Sequence, residues 1–205
     1  MIKNRASNVK EQIIEKSIRL FVDKGYNATT IKDITDAVNI TKGAFYWHFK
    51  SKDELLETII NLYEANFTDS VIREVRNSRG TFLQKMKYLH KWVTEFAYHH
   101  RELCVGFLTI AAEMVGSGTY IEKKIRTAYI KYLHFIREIL ELGRKEGCIQ
   151  EGLDIDMVAH VINALHNGSL LEWHINYDEI DGALFAKTYR DVSLFGFVKQ
   201  GVKKK

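Results

Sequence analysis

Apolar side chains recur every three or four residues along most of the chain, which is the period of an amphipathic helix. Stretches in which apolar and polar residues alternate, as they would in a half-buried strand, are almost absent. The sequence also contains no proline, the residue that most readily ends a helix. The pattern therefore predicts an all-α protein with helices over residues 8–25, 30–39, 41–49, 51–77, 81–99, 102–115, 120–145, 155–177 and 182–198.

Capping residues define the first four of these helices. Each begins at a Ser, Thr or Asn whose side-chain oxygen can accept a hydrogen bond from a backbone N–H group of the first turn. These residues are Asn8, Thr30, Thr41 and Ser51. The inward positions that the spacing predicts for the second helix are Ile31, Ile34, Ala37 and Val38. We expect short helices joined by tight turns, followed by a longer helix.

The third predicted helix holds an unusual density of aromatic side chains beside lysines. At about 100° per residue, Phe45 and Phe49 share one face, while Trp47 points the opposite way and Tyr46 and His48 lie on the flanks. So narrow a helix cannot bury them all. Its outer hydroxyl, indole, imidazole and ammonium donors suit the phosphates and base edges of a DNA major groove. A helix that hides its aromatic side chains against a protein partner is the alternative.

Positive charge is concentrated in the N-terminal quarter of the chain. Residues 1–52 contain ten Lys and Arg against five Asp and Glu, a net charge of +5, whereas the whole chain carries +4. Such a segment attracts an anionic polymer such as DNA, because binding releases condensed counterions. A merely solvated basic surface would have the same composition.

The stretch from Thr29 to Leu55 resembles the DNA-binding domain of TetR-family transcriptional repressors. The resemblance is densest over Thr41-Lys-Gly-Ala-Phe-Tyr-Trp-His-Phe-Lys-Ser-Lys-Asp-Glu-Leu55. It implies a helix-turn-helix domain over residues 1–55 and a helical effector-binding and dimerisation domain over residues 56–205. The residues that it places at the DNA, with Thr30 and Lys52 on phosphates, are Thr30, Thr41, Lys42, Gly43, Ala44, Tyr46, Trp47, His48 and Lys52.

The last two predicted helices carry much apolar surface for the end of a chain. Their apolar residues include Val158, Ala159, Ile162, Leu165, Leu170, Leu184, Tyr189, Val192, Phe195 and Val198. TetR-like proteins dimerise through their last two long helices, so the resemblance implies a homodimer with a four-helix interface. An intramolecular core is the alternative use of this surface.

The resemblance also implies a small hydrophobic or aromatic effector that binds in the C-terminal domain. The candidate effector-binding residues have large side chains, several with a polar group, and include one carboxylate in an apolar helix. They are Trp92, Phe96, Phe107, Glu113, Met114, Tyr129, Tyr132, Asn163, His166 and Trp173. Each could equally be a core residue, because aromatic stripes at helical spacing usually are. Glu113 is either solvent-facing or a buried anchor for a cation or hydroxyl.

Signatures of catalysis and of cofactor binding are missing from the sequence. There is no Gly-x-Ser-x-Gly motif, no glycine-rich phosphate loop and no Glu-x-x-His pair for a helical di-metal site. We expect no enzyme activity, no cofactor and no metal. With neither a signal peptide nor a membrane span, a cytoplasmic location is expected. The predicted function is a ligand-responsive DNA-binding repressor of an inverted-repeat operator; a helical protein-interaction adaptor, or an activator with the same helix-turn-helix, is the alternative.

Overall fold

A computed structural model of the protein describes the backbone of residues 2–196 and, of the side chains, those of residues 8–194. Within this range the fold is all-α, which confirms the fold class predicted from the sequence. The helices are α1 (Ile2–Lys24), α2 (Ile31–Val38), α3 (Lys42–His48), α4 (Lys52–Tyr63), a π-helical turn (Glu64–Asp69), α5 (Ser70–Asn77), α6 (Phe82–His99), α7 (Arg101–Met114), α8 (Tyr120–Lys145), α9 (Ile155–Ile175) and α10 (Gly182–Phe195).

Helix α1 starts earlier than its predicted cap. It begins at Ile2, and Asn8 lies inside it, so the prediction of an N-cap at Asn8 is wrong. The Asn8 side chain instead accepts a hydrogen bond from Gln12 one turn later, at 3.0 Å. No Gly or Pro lies between Ile2 and Asn8 to stop the helix from extending to the N-terminal side.

The predicted long helix over residues 51–77 is interrupted by the π-helical turn at Glu64–Asp69. This turn inserts extra backbone between α4 and α5, and it buries Phe67 and Thr68. A π-helical turn needs neither Gly nor Pro, so the apolar period that predicted one continuous helix could not reveal it.

The remaining helix ends follow their predicted signals closely. At the start of α6 the Gln84 side-chain oxygen accepts the Thr81 backbone N–H at 2.9 Å, and α8 spans the predicted residues 120–145. Asn39 adopts the left-handed conformation, with φ 57°, that ends α2. Helix α9 ends at Ile175, two residues before the predicted end. The predicted end of the last helix at Val198 lies outside the described residues.

The chain forms two compact units whose boundary differs from the predicted division at residue 55. Unit one comprises Met1–Ala65 and Glu102–Arg126, and unit two comprises Asn66–Arg101 and Thr127–Lys205. Helix α7 belongs to unit one because it packs on α1 and α4. A side-chain carbon at Gly106 would lie 3.1 Å from Ile18, so glycine allows the two helices to approach closely. The rings of Tyr63 and Phe107 stack with centroids 3.7 Å apart. Such long-range packing leaves no local signal in the sequence.

Candidate nucleic-acid interface

Helix α2 begins at a reciprocal cap formed by Thr30 and Asp33. The Thr30 hydroxyl accepts a hydrogen bond from the Asp33 backbone N–H at 3.1 Å, while the Asp33 carboxylate accepts the Thr30 backbone N–H at 2.8 Å. Hydrogen bonds from Thr30, first from its hydroxyl and then from its backbone, lower the pKa of Asp33, and Lys24 adds to the shift. This cap fixes where α2 starts relative to α1.

The turn between α2 and α3 is held by backbone hydrogen bonds. The N–H of Ile40 donates to the Thr35 carbonyl at 3.0 Å, directly after the left-handed Asn39. Thr41 then caps α3, since its hydroxyl accepts the Ala44 backbone N–H at 3.2 Å. The predicted cap at Thr41 is therefore present. Together α2, the turn and α3 form a helix-turn-helix.

Two phenylalanines anchor α3 to the core of unit one. Phe45 is fully buried and Phe49 is 2% exposed, with ring centroids 5.9 Å apart. On α2, however, the predicted inward position Ala37 is exposed. Thr35 is buried instead, and its hydroxyl donates to the Lys32 carbonyl at 3.0 Å. A hydroxyl satisfied within its own helix can be buried at little cost, which hydropathy alone does not reveal.

The opposite face of α3 is open to solvent. Tyr46 is 52% exposed and Trp47 is 73% exposed, as their azimuths predicted. Within the described part of the chain, the ammonium groups of Lys42 and Lys50 have no carboxylate partner. The outer face of α3 therefore presents aromatic rings with polar atoms, together with uncompensated positive charge. Thr41 and Gly43 are exposed beside them, and Ala44 is half-buried.

His48 lies against Trp47, with ring centroids 4.6 Å apart in an edge-to-face arrangement. Partial burial lowers the pKa of His48, and the nearby positive charge of Lys10 adds to the shift. At neutral pH the ring is therefore an uncharged donor and acceptor rather than a cation.

The structure gives Lys52 a different environment from the predicted phosphate site. Its ammonium donates to the carbonyls of Tyr26 at 2.8 Å and Thr29 at 2.7 Å, and it lies 4.2 Å from the Tyr26 ring centroid. Burial lowers the pKa of Lys52, which the carboxylates of Asp53 and Glu113 oppose. Lys52 thus joins the start of α4 to the loop between α1 and α2.

Glu113, predicted as an effector anchor, binds that same loop from α7. One carboxylate oxygen accepts the Tyr26 backbone N–H at 2.9 Å and the other accepts the Asn27 N–H at 3.0 Å. Gly25, with φ 83°, makes room for the carboxylate, because a side-chain carbon there would lie 2.5 Å from it. Both carboxylate oxygens are occupied by the protein itself.

A family model described as bacterial regulatory proteins of the tetR family matches residues 13–59. These residues include the whole helix-turn-helix described above. The probable acrEF/envCD operon repressor of Escherichia coli strain K12 is 27% identical over 187 residues, which cover 85% of this chain and 80% of the relative. Residues 13–59 thus match the tetR family of bacterial regulatory proteins, and the chain is similar to a repressor over most of its length.

Solved structures resemble this chain over nearly its full length. The MbdR regulator from Azoarcus sp. CIB superposes with a TM-score of 0.84 at 25% identity, covering 92% of this chain and 98% of that one. The regulator FadR from Bacillus subtilis, solved in complex with stearoyl-CoA, has a TM-score of 0.72 at 20% identity, covering 91% and 98%. The curated relatives that match over most of their own length are named as regulators or repressors of transcription, and this chain is similar to them.

The predicted effector residues divide between the two units. Phe107, Glu113 and Met114 belong to unit one. Those in unit two are Trp92, Phe96, Tyr129, Tyr132, Asn163, His166 and Trp173. The predicted set therefore does not form one cluster within either unit.

Unit two brings four of its seven predicted residues into one chain of contacts. Phe67, which the sequence analysis did not select, contacts Trp92, Phe96 and Tyr132 with centroid separations of 5.4–5.8 Å. The Tyr132 hydroxyl lies 2.9 Å from Nδ1 of His166. Of the other three residues, Trp173 lies against Tyr98 and Arg101, Tyr129 interacts with Asn167, and Asn163 is half-buried.

Among the described residues, no helix combines the length and apolar character needed to cross a bilayer. Nor do three or more His, Cys, Asp or Glu side chains of that part of the chain converge where a metal ion could be held.

Proposed function

We propose that the protein is a ligand-responsive repressor that binds an inverted-repeat operator as a homodimer and is released by a small hydrophobic or aromatic effector. In this proposal one α3 helix enters the major groove of each half-site. The observation that carries it is the two-faced α3, in which buried Phe45 and Phe49 support an exposed Tyr46 and Trp47. The proposal also places the protein in the cytoplasm.

The residues of α3 would divide the tasks of DNA binding. Lys42, Tyr46 and Trp47 would face base edges, while Lys50 would neutralise a phosphate. The DNA backbone would pass close to the remaining candidates, which are Thr30, Thr41, Gly43, Ala44 and His48. Lys52 would act indirectly by holding the loop before α2, because two of its three N–H groups already bind carbonyls.

Fluorescence anisotropy with the DNA fragments that the protein retains from a random pool tests this assignment. Lys50→Ala should weaken all retained sequences by a similar factor and lower the salt slope of the binding constant by about one. Trp47→Ala should change the sequence preference as well. Lys187→Ala, an exposed lysine of α10, is the matched control and should change neither. Unchanged binding by Trp47→Ala and Lys50→Ala would refute the assignment.

An exposed apolar stripe on α9 and α10 supports the homodimer. Its members, 37–67% exposed in the single chain, are Met157, Val161, Leu165, Leu171, Ile175, Leu184 and Val192. Several are four residues apart, so they follow one side of a helix. A contiguous surface of this kind is rarely left in water by a monomer. In the proposal, the same helices of a second copy cover it and form a four-helix interface.

Sedimentation velocity of the purified chain tests the dimer. Val161→Glu should shift the protein toward the monomer, since it introduces an unpaired carboxylate into the stripe. Ile130→Glu, at a position 51% exposed on α8, is the control and should leave the mass unchanged. A monomeric parent protein at micromolar concentration would contradict the proposal.

Effector and DNA would act through two-state linkage. In one arrangement of the dimer, the two α3 helices would no longer match successive major grooves. An effector that binds this arrangement more tightly lowers the affinity for DNA, and DNA must lower the affinity for the effector by the same factor. The aromatic contacts of unit two suit a hydrophobic effector, and the complex of FadR with stearoyl-CoA is a precedent for one in a protein of this fold. An activator would bind the same DNA but raise transcription of a reporter, whereas an adaptor would retain no specific sequence.

A further inference from the structure

Five buried polar side chains meet inside unit two, among α6, α8, α9 and α10. Each is at most 9% exposed, and they are His90, Tyr132, His166, Tyr189 and Ser193. The ring centroids of His90, His166 and Tyr189 lie 5.2–5.9 Å apart. Burying this many polar groups is costly unless each finds a hydrogen-bond partner.

His90 and Ser193 satisfy each other. Nδ1 of His90 lies 2.7 Å from the Met86 carbonyl, which can only accept, so this nitrogen must carry the proton. Nε2 is then an acceptor, and the Ser193 hydroxyl donates to it at 3.1 Å. The ring is thereby held in one tautomer with both nitrogens paired.

His166 is left with an unpaired donor. If the Tyr132 hydroxyl donates to Nδ1 of His166, one group stays unsatisfied, the Nε2–H of His166. The opposite direction would leave two, the Tyr132 O–H and the lone pair of Nε2, so the first arrangement is favoured. Nε2 is buried and has no hydrogen-bond partner among the described residues.

A second donor lies beside it. The Tyr189 hydroxyl is also buried without a partner in the described part of the chain. Burial raises the pKa of Tyr189, so the phenol keeps its proton; the nearby Ser193 hydroxyl opposes this shift, although the two groups do not reach hydrogen-bond geometry. Burial, followed by the charge that His90 would carry, lowers the pKa of His166, so that ring is neutral at pH 7.

The surroundings of His166 and Tyr189 limit which ligand group can accept hydrogen bonds from these two neutral donors. Tyr132 joins this polar cluster to the rings of Phe67, Trp92 and Phe96. A carboxylate would be an uncompensated buried charge, and an ammonium group has no lone pair to offer. A water or hydroxyl would accept the donors but would also add O–H donors that need acceptors of their own. A carbonyl oxygen accepts two hydrogen bonds and adds no donor.

We propose that His166 Nε2–H and the Tyr189 hydroxyl bind the carbonyl oxygen of a neutral effector whose apolar body contacts the rings around Phe67. This inference rests on the proposed effector site of unit two and names its ligand class. It assigns Tyr132 a positioning role, since its hydroxyl sets the tautomer that makes His166 a donor.

Matched pairs of probes test the inference on the full chain by isothermal titration calorimetry. Acetophenone is compared with ethylbenzene, and benzophenone with diphenylmethane, so that only the carbonyl oxygen changes. In at least one pair the ketone should bind roughly tenfold more tightly than the hydrocarbon. Tyr189→Phe should reduce ketone affinity about threefold and leave hydrocarbon affinity unchanged. Tyr98→Phe, at a position 68% exposed, is the control and should change neither.

The tautomer provides a readout that needs no ligand. Nitrogen-15 NMR of the histidine side chains at pH 7 should show His166 neutral and protonated at Nε2, and an Nδ1–H tautomer or an imidazolium would overturn the inference. Equal affinity for ketone and hydrocarbon would also overturn it while leaving a hydrophobic effector site in place. Binding of no probe would overturn it too, and selective retention of DNA by the same preparation would show that the regulator itself is functional.

Discussion

The buried imidazole of His90 makes the stability of this protein depend on pH in a calculable way. His90 is 1% exposed. Burial lowers its pKa, the hydrogen bond to Met86 opposes the shift and the charge of Arg190 adds to it, giving a value of about 4. The unfolded chain has the ordinary histidine pKa of about 6.5. Between these values the unfolded state binds more protons, so folding free energy is lost as the pH falls.

The magnitude follows from the two pKa values. From pH 7 to pH 5, protonation of the unfolded state at this one site should lower the unfolding free energy by about 2 kcal/mol, and the loss approaches about 3 kcal/mol near pH 4. His90→Asn removes the titration but keeps a side-chain N–H donor. Between pH 7 and pH 5, the parent should therefore lose about 2 kcal/mol more unfolding free energy than His90→Asn loses.

Urea unfolding of both proteins at one fixed protein concentration, at pH 7 and pH 5, measures this difference. His99→Asn, an exposed histidine of α6, is the control and should behave like the parent. An equal loss of stability in the parent and in His90→Asn would refute the assignment of a neutral, buried His90.

Three further outcomes are expected. Phe45→Ala should lower the unfolding free energy by roughly 3–5 kcal/mol in urea titrations, because it empties a fully buried site. Trp47→Ala should change the unfolding free energy by less than about 0.5 kcal/mol and should affect DNA binding alone. Equal destabilisation by the two variants would contradict an α3 with one buried and one exposed face. Glu113→Ala should speed hydrogen exchange at the Tyr26 and Asn27 amides and weaken DNA binding severalfold, and Glu113→Gln should have an intermediate effect. The control is Glu95→Ala, which removes one member of an exposed ion pair on α6 and should change neither. Slow exchange in Glu113→Ala would show that the loop does not depend on α7. Gly143→Ala should lower the melting temperature, because its added carbon would lie 2.7 Å from the Phe82 ring. The control is Gly168→Ala, whose added carbon has no atom of the same chain within 4 Å and should leave the melting temperature unchanged. Equal melting temperatures of the two variants would contradict the close packing of α6 on α8.

The helix-turn-helix could be predicted from the sequence because its signals are local. Thr30 and Thr41 each cap a helix through a residue three positions later, and the turn at Asn39 needs only its own backbone conformation. The two faces of α3 follow equally from helical spacing, because Phe45 and Phe49 are one turn apart. No knowledge of distant residues was needed.

The roles of Glu113 and Lys52 depend on partners that the sequence does not identify. Glu113 binds a loop 87 residues away, and Lys52 binds carbonyls 26 and 23 residues before it. The apolar surroundings of Glu113 and the implied effector site made Glu113 a candidate anchor, and the family resemblance made Lys52 a phosphate ligand. Neither source could reveal these contacts, since backbone N–H and carbonyl groups carry no sequence signature. Phe67 was missed for a related reason: the π-helical turn that contains it changes which face of the helix it occupies.

The proposed repressor depends above all on α3 reading a DNA sequence. Selection from a random double-stranded pool at physiological salt, with the parent protein and Tyr46→Ala in parallel, tests it most directly. We expect the parent to enrich an inverted repeat whose half-sites are separated by about a whole number of helical turns. Tyr46→Ala, while still folded, should lose or alter that enrichment. Retention of DNA without a shared sequence, or the same repeat enriched equally by both proteins, would contradict it.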